Sequence, residues 1–137
     1  MYKVPPVEIK IWGRRTRIYS DGKMEVYLLD VEPVDGKPVA CSTHHHSSKY
    51  NRFFVISGRL GVEHGGDPDI DNPLDVAGSR WELHPGEQYT IAPGEVHRFV
   101  VTEPAQVIET TWVDEITEDI HRQDEGHVLE SWPEEEK

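Results

Sequence analysis

The chain has 137 residues, 36% hydrophobic and 29% charged, with 26 acidic against 14 basic side chains and a formal net charge of −12. This length suits one domain with one core. The acidic balance argues against a nucleic-acid partner, which needs clustered cations, and no apolar run approaches the roughly 18 residues of a membrane helix. The first twenty residues alternate charged and apolar types, so no secretory leader is read there. Cys41 is the single cysteine and can close no internal disulfide, which makes the cytoplasm the expected compartment.

Short β-type runs follow one another along the chain. Val7–Ile11 alternates, with Val7, Ile9 and Ile11 on one face, and overlaps a basic stretch from Lys10 to Arg17 that reads as a charged edge strand. Met24–Val31 follows the Asp21-Gly22 turn, and Val39–His45 follows Asp35-Gly36. Phe53–Ile56 and Arg59–Glu63 flank Ser57-Gly58. Arg80–His84, Tyr89–Ile91, Val96–Val101 and Ala105–Val113 are separated by Pro85-Gly86, Pro93-Gly94 and Glu103-Pro104. Many short strands punctuated by Gly and Pro indicate an all-β sandwich, jelly roll or barrel.

Between these runs, His64–Ser79 reads as one long irregular loop. Its Asp67, Asp69 and Asp71 have a calcium-loop spacing, but Asn72 stands at the glycine position and Gly78 at the closing glutamate, so a solvated surface loop is expected. Residues 114–137 hold ten acidic side chains against Arg122 and Lys137 and read as a solvated acidic tail, or as a cover for the basic edge. Ile116 and Ile120 lie four apart, which predicts one short helix over Asp114–Arg122.

The chemistry-bearing residues start at His44-His45-His46. Side chains alternate faces along a strand, so His44 and His46 point one way together and His45 points away. Two imidazoles on one face make two arms of a metal site, and the third must come from another strand; His97, just after Pro93-Gly94, is the candidate. Imidazole suits zinc, iron, nickel, copper and manganese, so the ligand type alone does not name the metal. On spacing alone, a His-rich surface strand is the alternative.

His44-x-His46, four further residues, Asn51, six further residues and Gly58 resemble the first motif of the cupin superfamily, in which a glutamate usually stands where Asn51 is. Gly86, Gly94 and His97 resemble the second, although Ala92 takes the usual proline position and Val101 the usual asparagine. The resemblance implies an all-β, cupin-type jelly-roll β-barrel with a short C-terminal helix. It implies one domain over residues 1–137 with a barrel core at about 24–113, and a divalent transition metal (Zn, Mn, Fe or Ni) held by His44, His46 and His97. Asn51 then either ligates through its amide oxygen or only hydrogen-bonds. Either way an anionic ligand is lost, leaving a stronger Lewis acid that favours an anionic partner.

Ile11-Trp12-Gly13, Cys41 to Gly58, and Val107-Ile108-Glu109 through Arg122 are loosely similar to the cupin domain of type II mannose-6-phosphate isomerases. This implies a sugar or sugar-phosphate ligand and isomerase-like chemistry, with Glu109 as the catalytic base or else an ordinary exposed strand glutamate. Phe53 and Phe99 share the inward parity of Asn51 and His97 and are expected to line the substrate pocket or pack in the core. Tyr50, Tyr89 and Trp112 are read as packing residues, with sugar stacking the alternative. Arg52 and Arg98 face away from the ligands, Cys41 packs, and His64, His84, His121 and His127 are surface histidines. Two other functions stay open: a three-His iron dioxygenase resembling cupin thiol and diketone dioxygenases, and a non-catalytic binding module for a small sugar or carboxylate. Cupins commonly pair, and a homodimer through Val7–Ile11 and Trp12 is expected.

Overall fold

Branched and aromatic residues at every second position build two antiparallel sheets whose inner faces form the core. The computed structural model describes residues 6–65, 78–113 and 120–133. The first sheet contains β1 (Val7–Lys10), β2 (Gly13–Ser20), β3 (Met24–Val31), β6 (Tyr50–Ser57), β9 (Gln88–Ile91) and β11 (Ala105–Trp112). Its spatial order is β1-β2-β3-β11-β6-β9. The second contains β4 (Val39–Ala40), β5 (His44–His46), β7 (Leu60–Gly65), β8 (Gly78–Leu83), β10 (His97–Val101), β12 (Ile120–Arg122) and β13 (His127–Val128). There β5 lies between β12 and β10, and β10 pairs with β7, which pairs with β8.

Strand β11 shows the pattern most clearly: Ala105, Val107, Glu109 and Thr111 are buried, while the residues between them are more exposed. Leu29, Val31, Val55 and Val107 from the first sheet meet Leu60, Val62, Phe99 and Val101 from the second in one core cluster. Two tight turns require glycine. Gly13 (φ +137°) has the carbonyl oxygen of Asp30 where a Cβ would sit, and Gly58 (φ +77°) has that of Pro104.

Two expectations need correction. The sheets face each other without closing into a complete barrel, because no ladder joins β9 or β1 to the second sheet among the described residues. There is also no helix among them. Ile120–Arg122 is a strand paired residue for residue with His46–His44, while residues 114–119 of the expected helix lie outside the described residues. A three-residue strand such as β5 would otherwise present unpaired backbone groups; pairing with β12 satisfies them, and this long-range gain outweighs the local Ile116/Ile120 spacing. The calcium-like loop likewise falls mostly outside the described residues. No helix among the described residues is long and apolar enough to cross a membrane.

The segment after β12 stays on the second sheet. Asp124 accepts hydrogen bonds from the backbone N–H groups of Thr43 and Gly126, both at 2.9 Å. β13 pairs with β4, and Trp132 is buried against Gly61. Trp132 also donates its indole N–H to Glu63 at 2.5 Å.

Candidate metal centre

The three histidines converge because of strand alternation and one cross-strand pairing. His44 and His46 lie on one face of β5, with His45 between them. His97 is the register partner of His44 on β10, so its side chain emerges on the same face. The ring centroids are 4.4 Å apart for His44–His97, 5.1 Å for His44–His46 and 5.7 Å for His46–His97. One ligand atom from each lies within 4.8 Å of the others.

Hydrogen bonds set the tautomers of two of these rings. The Nδ1 of His44 lies 2.7 Å from the carbonyl oxygen of Ser42, and that of His97 lies 2.9 Å from the carbonyl oxygen of Glu95. A carbonyl can only accept, so each Nδ1 carries the proton and each Nε2 keeps its lone pair, as a metal ligand requires. Burial lowers both affinities for a second proton. His44 falls well below the usual value, with His97 and His46 adding to the effect, and His97 is pushed down to about 4. Near neutral pH both rings are uncharged. The Nε2 of His97 is buried with no hydrogen-bond partner, a costly arrangement that a bound cation would relieve. Neutral, convergent imidazole nitrogens fit a divalent transition metal without selecting one.

A polar chain crosses the facing sheet. Asn51 on β6 donates from Nδ2 to Oε2 of Glu109 on β11 at 3.2 Å. The other oxygen of Glu109 accepts from Nε of Arg15 at 3.1 Å, and Arg15 also donates to Glu8 at 2.7 Å. The Arg15 guanidinium lies 3.5 Å from the centre of the Tyr27 ring, a cation–π contact. Burial alone would favour the neutral form of Arg15, but Glu109 and Glu8 more than offset it and keep the charge. Tyr27 is pushed up to about 12, chiefly by burial and despite Arg15, with its bond to Glu25 contributing. Because Asn51 turns its NH2 to Glu109, its Oδ1 points elsewhere; that oxygen is buried and has no hydrogen-bond partner.

One cavity of about 750 Å³ receives these groups: His44, His46, Glu109, Arg15, Phe53 and Phe99 all line it. Glu109 is 8% exposed, so the exposed-strand alternative is excluded. Phe53 and Phe99 line the cavity and also pack edge-to-face in the core at 5.8 Å. Cys41 packs in the core, and its thiol, pushed up to about 12 by burial, also reaches the cavity wall. The irregular backbone at Ser42 and Thr43 breaks the alternation that separated it from His44. Arg98 points away, to Glu63 at 2.7 Å, and Arg52 lies over Trp112 at 5.0 Å. Tyr50 stacks on Trp112 at 5.3 Å, and neither ring reaches the cavity.

The surface reading of His64 is wrong. His64 is the register partner of His97 on β7, and its imidazole is bound by Glu95 at 2.5 Å, Tyr89 at 2.6 Å and Trp81 at 3.0 Å. Inward parity along Leu60–Gly65 was the available signal, hidden by the polar loop that follows. Arg15 was also missed. It sits in a run of cations that looks solvent-facing, and only the pairing of Arg15 with Leu29 turns it inward.

No protein-family model and no curated protein matches the chain. Solved structures do. KdgF from Halomonas sp. superposes with a TM-score of 0.58 at 16% identity, over 74% of this chain and 79% of that one. A cupin-2 domain containing protein from Shewanella frigidimarina gives 0.51 at 19% identity, over 70% and 76%. Oxalate decarboxylase from Bacillus subtilis gives 0.66 at 10% identity, over 86% of this chain but only 30% of that one. At such identities the likeness is one of fold alone: the chain has the fold of these proteins, one of them a cupin-2 domain containing protein, and carries a cluster of three histidines set for a divalent metal.

Proposed function

We propose that the protein is a metal-dependent cupin that acts on a small sugar or carboxylate compound in an isomerase-like reaction, with Glu109 moving the proton. The observation that carries this reading is that His44 and His46, clustered with the buried His97, open into one cavity with a buried carboxylate. His44, His46 and His97 would hold the ion, and the otherwise unpartnered Oδ1 of Asn51 would complete or tune the site. A divalent ion there supplies Lewis-acid polarisation of a substrate carbonyl.

The chain's own groups do the rest. Asn51 and Arg15 each hold one oxygen of Glu109, which fixes the carboxylate in place for proton abstraction and return. Phe53 and Phe99 form an apolar wall that limits water. Three neutral ligands leave the ion's charge uncompensated, which favours an anionic substrate oxygen. One fold neighbour is named for oxalate, a carboxylate. Val7 and Ile9 of β1, and Ile11 in the turn after it, are 46%, 75% and 48% exposed, and we assign them to a homodimer contact.

A second reading, a three-His iron dioxygenase, is favoured by the all-imidazole cluster. One experiment separates the readings. The protein is loaded in turn with Zn, Mn, Ni or anaerobic ferrous iron and incubated in D2O with short keto acids, aldoses and ketoses. Deuterium incorporation beside the carbonyl, lost in Glu109→Gln, supports isomerase-like chemistry. Oxygen uptake by the ferrous form alone supports the dioxygenase. A compound that raises Tm and is recovered unchanged makes the protein a binding module.

A further inference from the structure

Arg122, His44 and His97 are consecutive partners in one row across the second sheet. Residues in such a row emerge on the same face, and adjacent strands lie about 4.8 Å apart. Arg122 and His44 line the same cavity, with Arg122 exposed at its mouth. Its backbone is held in place: Gln123 donates its N–H to the carbonyl of Thr43, and Asp124 caps the N–H of Thr43 at 2.9 Å.

The charge of Arg122 is uncommitted. Arg14, Arg15, Arg59, Arg80 and Arg98 each have a carboxylate partner. Arg122 forms no ion pair with any described residue, and Glu125, which lines the same mouth, does not pair with it. Arg17 and Arg52 likewise have no carboxylate partner among the described residues, but of these three only Arg122 lines the cavity, one strand from His44. Its planar fork suits bidentate recognition of an oxyanion.

We propose that Arg122 anchors the substrate's anionic group. This assigns the cavity to short compounds with a metal-binding oxygen at one end and a carboxylate or phosphate a few atoms away. The inference rests on the metal-site reading above and deepens it: the substrate is an acid, not a neutral sugar, and the C-terminal strand supplies its specificity.

The test uses the full zinc-loaded chain at low ionic strength, where an exposed charge is least screened. Calorimetry compares acetate, which offers one carboxylate, with malonate and phosphoglycolate, which add a second carboxylate and a phosphate. In the wild type at least one of the two longer anions binds more tightly than acetate. Arg122→Gln weakens that anion about tenfold, the effect of one charge-assisted hydrogen bond, with zinc content, Tm and acetate affinity unchanged; Arg122→Lys recovers part of the loss. Whichever anion shows the effect identifies the source of the oxyanion. Equal binding of all three anions by the wild type, or an unchanged affinity in Arg122→Gln, overturns the proposal and leaves the metal site standing. Failure of the wild type to take up zinc overturns both.

Discussion

Asn51 and Glu109 are joined across the β6–β11 pair by an amide-to-carboxylate hydrogen bond of 3.2 Å, and both side chains are buried. Where the cupin pattern usually has a carboxylate, this chain has an amide, and the carboxylate sits one strand over with Arg15 on its other oxygen. The negative charge is thus displaced from the first-motif position but kept in the cavity. Glu109→Gln keeps the shape and removes the charge. It should abolish the proton exchange described above and leave metal stoichiometry intact. It should also cost about 2 kcal/mol of stability in urea unfolding, because Arg15 keeps only the half-exposed Glu8. Full exchange activity in this variant would exclude Glu109 as the base.

The histidine row makes a sharper prediction about metal. His44→Ala and His97→Ala should each lose bound metal on elemental analysis of untagged protein, by more than the roughly 10–100-fold drop typical of outer-shell changes. His45→Asn should retain it, because His45 lies on the opposite face of β5 from the other two. Retention of stoichiometric metal in both alanine variants would remove the site.

Glu63 governs a pH effect far from the cavity. Its buried carboxylate accepts from Arg98 at 2.7 Å, Arg80 at 2.9 Å and Trp132 at 2.5 Å. Burial alone would raise its pKa, but Arg98, Trp132 and Arg80 together bring it below the ordinary 4.5. A depressed folded-state value means that the stabilisation is fully present above the unfolded pKa and is lost as pH falls through the folded one. Glu63→Gln should therefore cost about 3 kcal/mol at neutral pH and flatten the loss of stability below pH 4.5. Parallel acid limbs for the wild type and the variant in a pH series of denaturant melts would contradict this.

Trp132 reaches Glu63 only because residue 61 has no side chain. A Cβ on Gly61 would come within 2.5 Å of the indole. Gly61→Ala should displace Trp132, break its bond to Glu63 and cost about 1–3 kcal/mol. The readouts are a red-shifted tryptophan emission and faster proteolysis after residue 126. Unchanged emission would mean that the strand, rather than the ring, gives way.

Much of this architecture was legible in the sequence. Turn residues between branched runs located most of the strands, since β-branched packing and positive-φ turns are local properties. Alternation put His44 and His46 together and His45 apart, and the motif spacing brought His97 to them. The same alternation, applied without knowledge of the partner strands, failed for Arg15 and His64. Both sit in polar surroundings along the chain, and only pairing with Leu29 and His97 turns them inward.

Local periodicity by itself determined which side chains share a face within a strand, because the period of two is built into the backbone. Only the tertiary structure decided which strands adjoin. It made Ile120–Arg122 a strand beside the histidines instead of the end of a helix, turned the Asn51 amide toward Glu109, and set Arg122 in line with His44. These outcomes depend on hydrogen-bond ladders between segments far apart in the chain, 78 positions for Arg122 and His44, and on the cost of leaving an edge strand unpaired. The period of a single strand carries no information about either.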